Sequence, residues 1–338
     1  MYQYIGVDVA NQTLQVFDGN EDFTFPNESK LKEFNLFIRE WKKKIKQSKA
    51  IDTELFIIFE PTGPYSSFLR DYCIKKNIKF HVMNPMQSAY FAKASGNRSK
   101  SDPIDARMLY SYHIMLKNKE CLTPVLSNHV KRLSSYLKSY QLLIKTETAF
   151  QNHFQSTERE GSASKSLIKI LKKGLENIQK EKDKILEEVI SYIKVDLVLA
   201  ESYQNLCSIP GVGPLTSINL LIHFLKFPTA NRNQLTSLAG LDPAIKTSGT
   251  SLNKKPHISK RGNSLLRKTL YCAAISGVQC NPDLTKQYEH LQERKKPKKV
   301  ALVAIMRQIL LTAHALYMEK RYYEVREGKI QNISINNA

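Results

Sequence analysis

Tyr4-Ile5-Gly6-Val7-Asp8-Val9, then Leu14 to Phe17, Asp18-Gly19-Asn20 and Phe23-Thr24-Phe25, is the stretch that decides the fold. A short apolar run ends at a carboxylate. After a turn at Ala10-Asn11, Leu14, Val16 and Phe17 continue as a second strand. Asp18-Gly19-Asn20 has the composition of a hairpin turn, so Phe23 to Phe25 is read as a third strand. Beyond it, Leu31, Phe34, Phe37, Ile38, Trp41 and Ile45 recur at helical spacing over residues 31–46. Leu55 to Phe59 is a fully apolar strand, Pro64 opens a helix through Lys76, Ile78 to Met83 is another strand, and Asp102 to Leu116 another helix.

A hairpin meander followed by strand–helix crossovers predicts an α/β domain with a mixed sheet flanked by helices, the order of a ribonuclease-H-like fold. From Asn128 to Ala200 apolar residues recur at helical spacing between dense charges, and Glu160-Gly161-Ser162 interrupts them. Two long antiparallel helices are expected, in coiled-coil fashion. From Leu206 a mainly α domain is expected, with helices over 215–225, 234–239, 263–278 and 300–320, a polar loop over 243–256 and a frayed tail after Gly328.

The 338 residues carry 51 Lys and Arg against 31 Asp and Glu, a formal charge of +20. That excess fits a chain held on a polyanion, and a hydrophobic fraction of 42% excludes global disorder. The best candidate for a membrane span, Val300 to Met318, is broken by Arg307, Gln308 and His314, so a buried helix is expected there and no membrane partner. The first ten residues lack the layout of a signal peptide. The five cysteines include no C-x-x-C pair, which suggests reduced thiols in a cytoplasmic protein.

Asp8 and Glu60 each close an apolar strand, and Asp102-Pro103-Ile104-Asp105 opens a helix. Singly, each has an ordinary explanation. Asp8 would cap a turn, Glu60 would mark a solvent edge, and Asp102 and Asp105 would cap a helix. In a ribonuclease-H-like sheet, however, the two strands are neighbours and the last helix crosses them. Asp8, Glu60, Asp102 and Asp105 would then share one cleft. Carboxylates so gathered repel unless cations neutralise them, and hard oxygen donors suit Mg2+.

Ile209-Pro210-Gly211-Val212-Gly213-Pro214 is similar to the hairpin of a helix-hairpin-helix element. There Gly211 and Gly213 would let the backbone approach phosphates, although a plain turn between core helices has the same composition. Residues 254–268 hold six basic side chains, Lys254, Lys255, Lys260, Arg261, Arg267 and Lys268, and no acidic one, which makes a phosphate-binding surface by charge. Ser248, followed by Gly249, is a candidate nucleophile, with Ser251 as its rival. Arg294 to Lys299 adds five basic residues in six, read as a solvated or backbone-contacting run.

Together, Gly6-Val7-Asp8, Glu60-Pro61-Thr62-Gly63, Lys100 to Arg107, Ile209 to Gly213, Ala239 to Pro243, Ser248-Gly249 and Ser259 to Gly262 resemble the DEDD transposases of a bacterial insertion-sequence family, the bridge-RNA-guided recombinases, over nearly the full length. The resemblance implies a RuvC-like domain over 1–120, coiled-coil oligomerisation helices over 121–203, a transposase domain over 204–328 and a tail over 329–338. It places a Mg2+-binding tetrad on Asp8, Glu60, Asp102 and Asp105, and a serine that becomes linked to cleaved DNA on Ser248. It also implies double-stranded donor and target DNA, a structured non-coding guide RNA, and an active site composed from two protomers of a homo-oligomer, a dimer or tetramer, working at the bacterial nucleoid.

Two other functions stay open on the residues alone. A RuvC-like nuclease or junction resolvase would keep the acidic tetrad but use water as its nucleophile. A non-catalytic nucleic-acid-binding protein would use the carboxylates as caps. An ATPase of the actin and hexokinase class would need a second glycine-rich phosphate loop, and the sequence offers none paired with an acidic residue.

Overall fold

A computed structural model describes residues 2–47, 53–96, 102–115, 123, 125–161, 163–248 and 252–325. The side chains of residues 46–47, 102, 245–248 and 252–256 lie outside that description, as does the expected tail after Gly328. The chain divides into two compact units, residues 1–125 and 126–338.

The first unit is built on strands β1 (Tyr2–Val9), β2 (Thr13–Phe17), β3 (Asp22–Pro26), β4 (Glu54–Phe59) and β5 (Lys79–Val82). They form a sheet of order β3-β2-β1-β4-β5. The first three pair antiparallel, as a meander must, and β4 joins β1 and β5 in parallel. This mixed sheet is compatible with the ribonuclease-H-like order expected from the sequence.

Alternation decides which side chains go to which face. Ile5, Val7, Val9, Leu14, Val16, Leu55, Ile57 and Phe59 point to one face. There they bury Phe34, Ile38 and Trp41 of α1 (Lys32–Gln47) and Leu69, Tyr72 and Cys73 of α2 (Ser67–Lys75). Ile58 points to the other face, with Met83 and with Met108 and Leu109 of α4 (Asp102–Met115). A strand buried on both sides has to be apolar throughout, which is why residues 55–59 carry no polar side chain. The helix expected from Pro64 begins at Ser67, after a turn through residues 63–66. A further helix, α3 (Pro85–Ala94), follows β5.

In the second unit α5 (Asn128–Glu160) and α6 (Lys165–Val195) form the expected antiparallel hairpin. Ser127 and Ser164 cap their starts, accepting from Val130 N and Leu167 N, and Gly161 ends α5 in the left-handed conformation. Lys182 is buried in the seam, its Nζ 2.7 Å from Glu147 Oε2 and 2.8 Å from Gln179 Oε1.

The base of the hairpin (Leu133, Leu137, Val189, Ile193) shares one core with the helices that follow. These are α7 (Leu197–Cys207), α8 (Pro214–Lys226), α9 (Arg232–Leu238), α10 (Ser264–Cys280), α11 (Pro282–Glu293) and α12 (Lys298–Glu319). Helix α12 is long and apolar enough to cross a membrane by length and composition. Its Ile305, Met306, Ile309, Leu310, Ala313 and Leu316 are instead buried in this core. Residues 243–256, expected as a polar loop, carry β6 (Pro243–Ser248) and most of β7 (Leu252–Ile258), which pair as an antiparallel ribbon.

Candidate active site

The parallel register of β1 and β4 pairs Val7 with Phe59. Continuing it by one residue sets Asp8 and Glu60 side by side at the carboxyl ends of the two central strands, both half-buried. Asp8 shares a face with Gly6, two residues earlier, and α4 crosses the sheet on that face.

Gly6 is required at the crossing. A Cβ there would overlap the Ala106 carbonyl oxygen and stand 2.9 Å from Tyr110 N. Further along the helix, the His113 ring lies 4.5 Å from that of Tyr4 and 4.4 Å from that of Phe56. As α4 advances from Ala106 to His113, its contacts on β1 retreat from Gly6 to Tyr4. The helix therefore runs antiparallel to the strand, and its first turn, with Asp102 and the half-buried Asp105, lies toward the end that bears Asp8.

Two further contacts fix this arrangement. Arg107 Nε lies 3.2 and 3.1 Å from the two carboxylate oxygens of Asp22 on β3, and Nη2 also bonds Oδ2. The guanidinium holds the Asp22 carboxyl below its usual range. Glu60 accepts a hydrogen bond from the hydroxyl of buried Ser88 on α3. Ser88 is placed by the start of its helix. Met83 N donates to Phe59 O at 2.9 Å, and Asn84 caps α3 by accepting from Met86 N at 2.9 Å.

The structure thus brings Asp8, Glu60 and the opening of α4 to one end of the sheet. Among the described residues no three His, Cys, Asp or Glu side chains stand close enough together to hold a metal ion. The side chain of Asp102 is outside them. The donors that are in place are carboxylate oxygens, the chemistry that suits a hard divalent cation.

In the second unit Ser248 is the last residue of β6, paired in register with Leu252 at the tip of the ribbon. The side chains of Ser248, Lys254 and Lys255, and all of Ser251, lie outside the described residues. The two segments that root the ribbon interlock. Lys260 N donates to Gly240 O at 3.1 Å, Ser259 N donates to Asp242 O at 2.9 Å, and the Ser259 hydroxyl bonds the Asp242 carboxylate. A Cβ at Gly240 would stand 2.8 Å from Arg261 N.

Lys260, Arg261 and Lys268 are exposed, whereas Arg267 is drawn in and donates to Ala239 O at 3.2 Å. In the turn between α7 and α8, Gly211 has φ +92° and a Cβ there would overlap Gly277 Cα, so this glycine serves close packing on α10. Gly213, at the N-cap of α8, faces open space.

Two family models match the chain. One, described as Transposase and named for the DEDD transposases of IS110, matches residues 5–157; the other, described as Transposase IS116/IS110/IS902 family, matches residues 203–289. The chain belongs to this transposase family. The transposase is 27% identical over 96% of its length to "Pilin gene-inverting protein" of Moraxella bovis, covering 98% of that protein, and equally to its namesake in Moraxella lacunata. It is 33% identical to the insertion element IS110 uncharacterized 43.6 kDa protein of Streptomyces coelicolor over 36% of this chain and 30% of that one. It is a DNA transposase or recombinase enzyme.

The first match spans all four carboxylates and the second spans Ser248 and both ribbon roots. No charge or motif in the sequence marks Ser88, and Arg107 ends the motif of residues 100–107 with no sign of its partner Asp22. An Asn-Pro start signal at Asn84-Pro85 was the available sign of the helix that carries Ser88.

Proposed function

We propose that this transposase is an RNA-guided recombinase that exchanges DNA strands through a serine–DNA intermediate, assisted by Mg2+ on Asp8, Glu60, Asp102 and Asp105. The observation that carries the reading is the parallel register of β1 and β4, paired as far as Val7 and Phe59, which leads Asp8 and Glu60 to the ends of adjacent strands on the face that α4 crosses. Mg2+ bound there would draw charge from the phosphate oxygens of the reacting strand. In this reading the first 120 residues form a RuvC-like domain.

Ser248 is the nucleophile. Its hydroxyl gives up a proton, its oxygen bonds to phosphorus, and the bridging oxygen of the cut strand leaves and takes up a proton. The number of phosphate ester bonds is unchanged. Attack by a new strand end on the serine ester then restores the DNA backbone and frees the hydroxyl.

Relatives named for inverting a gene support this conservative chemistry over hydrolysis. The charge of +20 supports extensive contact with nucleic-acid backbones, leaving sequence choice to base pairing with a guide RNA. Lys254, Lys255, Lys260, Arg261, Lys268 and the Gly213 turn belong to that contact surface. Leu142 and Ile170 stay 64% and 63% exposed on the long hairpin, which supports a role for α5 and α6 in joining protomers into the dimer or tetramer that completes the site. The work is done in the bacterial cytoplasm, at the nucleoid.

The deciding experiment is strand exchange in vitro with purified protein, donor and target DNA, Mg2+ and the element's non-coding RNA. Recombinant product should require the RNA, and a protein–DNA adduct at Ser248 should appear in mass spectra. Ser248→Ala should abolish the adduct and spare binding. Cleavage without any adduct would replace this reading with hydrolysis by water.

A further inference from the structure

Arg307 is a cation in the middle of α12, next to buried Met306 and one turn from buried Leu310. Its Nε donates to the carbonyl of Leu241 at 2.7 Å. Leu241 lies two residues before β6 and is fully buried.

This bond belongs to a set. The carbonyls of Ala239, Gly240, Leu241 and Asp242 each accept a donor in turn: Arg267 Nη1, Lys260 N, Arg307 Nε and Ser259 N. The set spans the turn from α9 into β6, where Ala239 is still helical and Gly240 is left-handed at φ +69°; the returning segment bonds two of its carbonyls, and guanidinium groups from α10 and α12 grip the other two. Four successive peptide planes are thereby fixed where β6 leaves the helical core. An isolated two-stranded ribbon is marginal in water and takes its direction from its attachment. Five residues of extended chain carry Ser248 about 17 Å beyond Pro243, so a tilt of roughly 10° at the root moves the serine by about 3 Å.

We propose that Arg307 is a positioning residue for strand transfer. By holding the Leu241 carbonyl it aims the β6–β7 ribbon, and with it Ser248, at the phosphate. The inference rests on Ser248 being the nucleophile. Arg307 does not touch DNA. A misplacement of an ångström or more in a reacting group costs on the order of a hundredfold in rate, so loss of the bond lowers the chemical step and leaves substrate affinity alone.

The test is single-turnover adduct formation by the full-length protein with guide RNA and DNA. Wild type, Arg307→Met, Arg307→Lys and Ser259→Ala are compared, with DNA affinity measured by titration alongside. Arg307→Met keeps the apolar stem and removes the donor. It should slow adduct formation ten- to a hundredfold with a DNA Kd within twofold of wild type, and raise amide exchange at Ser259 and Lys260. Arg307→Lys, which restores one donor, should recover most of the rate. Ser259→Ala loosens the same root from the other side and should show the same split, and it decides the matter if Arg307→Met does not fold. A wild-type rate in Arg307→Met, or in Ser259→Ala where that variant has to stand in, overturns the proposal. So does a matching fall in rate and affinity that Arg307→Lys fails to rescue. Absence of any adduct from the wild-type protein overturns the serine reading instead.

Discussion

Gly6 of β1 lies beneath the carbonyl of Ala106 on α4, so close that a methyl group on the strand would overlap that oxygen. The helix that opens with Asp102 and Asp105 reaches the end of β1 because this one position has no side chain. Gly6→Ala has no flexible neighbour to displace, since the obstacles are backbone atoms. It should cost about 3 kcal/mol or more. The fluorescence of Trp41, the single tryptophan, reports on this unit and should show the urea midpoint falling. An unchanged midpoint would mean that α4 docks differently.

Ser88→Ala removes the donor to Glu60 while leaving the capped start of α3 intact. If Glu60 binds Mg2+, a carboxylate freed from its support should bind it about tenfold more weakly. Calorimetric titration of Mg2+ into the protein reads this directly, and Ser88→Thr should restore part of the affinity. Equal affinities for wild type and Ser88→Ala would remove Ser88 from the site.

His113 is wedged between the rings of Tyr4 and Phe56, where burial, with His81 beside it, pulls its pKa down to about 4. Burial likewise holds His223 on α8 at about 4. In the unfolded chain each titrates near 6.5. Between these values the unfolded state binds more protons, so stability is full above about pH 6.5 and drains away as pH falls toward 4, by up to about 3 kcal/mol for each ring. Urea midpoints from pH 7.5 to 4.5 followed at Trp41 should drop for wild type and drop less for His113→Phe. Parallel curves would contradict the burial of His113.

Lys182 and Glu147 meet inside the helical hairpin, with the lysine side chain only 10% exposed. Lys182→Ala strands a carboxylate that is still 32% exposed and should cost about 2 kcal/mol. The pair Lys182→Met with Glu147→Leu should be neutral or stabilising, because neither charge then has to be desolvated. Chemical denaturation followed by circular dichroism would separate these. A double variant as unstable as the single would assign the pair a larger net value.

The sheet was legible because its strands are buried on one or both faces, and burial writes itself as alternation or as an unbroken apolar run. The hairpin of α5 and α6 was legible for the same reason at helical period. Helix α3 was not, because among its described side chains Ser88 is the buried one and Tyr90 stays exposed. Helix α11 buries little beyond Leu284 and left a similarly faint trace. The β6–β7 ribbon read as a loop because Lys246, Thr247, Asn253 and Lys254 offer no apolar face; its order comes from its root.

At the candidate site, the placing of Asp8 and Glu60 at the ends of neighbouring parallel strands followed from strand order alone. Ser88 on Glu60, Arg107 on Asp22 and Arg307 on Leu241 join residues 28, 85 and 66 positions apart, and no local pattern announces such bonds.

The length of α5 has a mechanical corollary. Its 33 residues make a rod about 50 Å long, comparable to some fifteen base pairs of duplex. With its foot clamped in the helical core, a swing of 10° at the base would carry the Gly161 bend sideways by roughly 9 Å. The rod is thus a ruler as well as a lever: whatever seats at the far end is kept at one set reach from the body of the enzyme, and shortening both helices by matched turns would reset that reach in steps of about 5 Å.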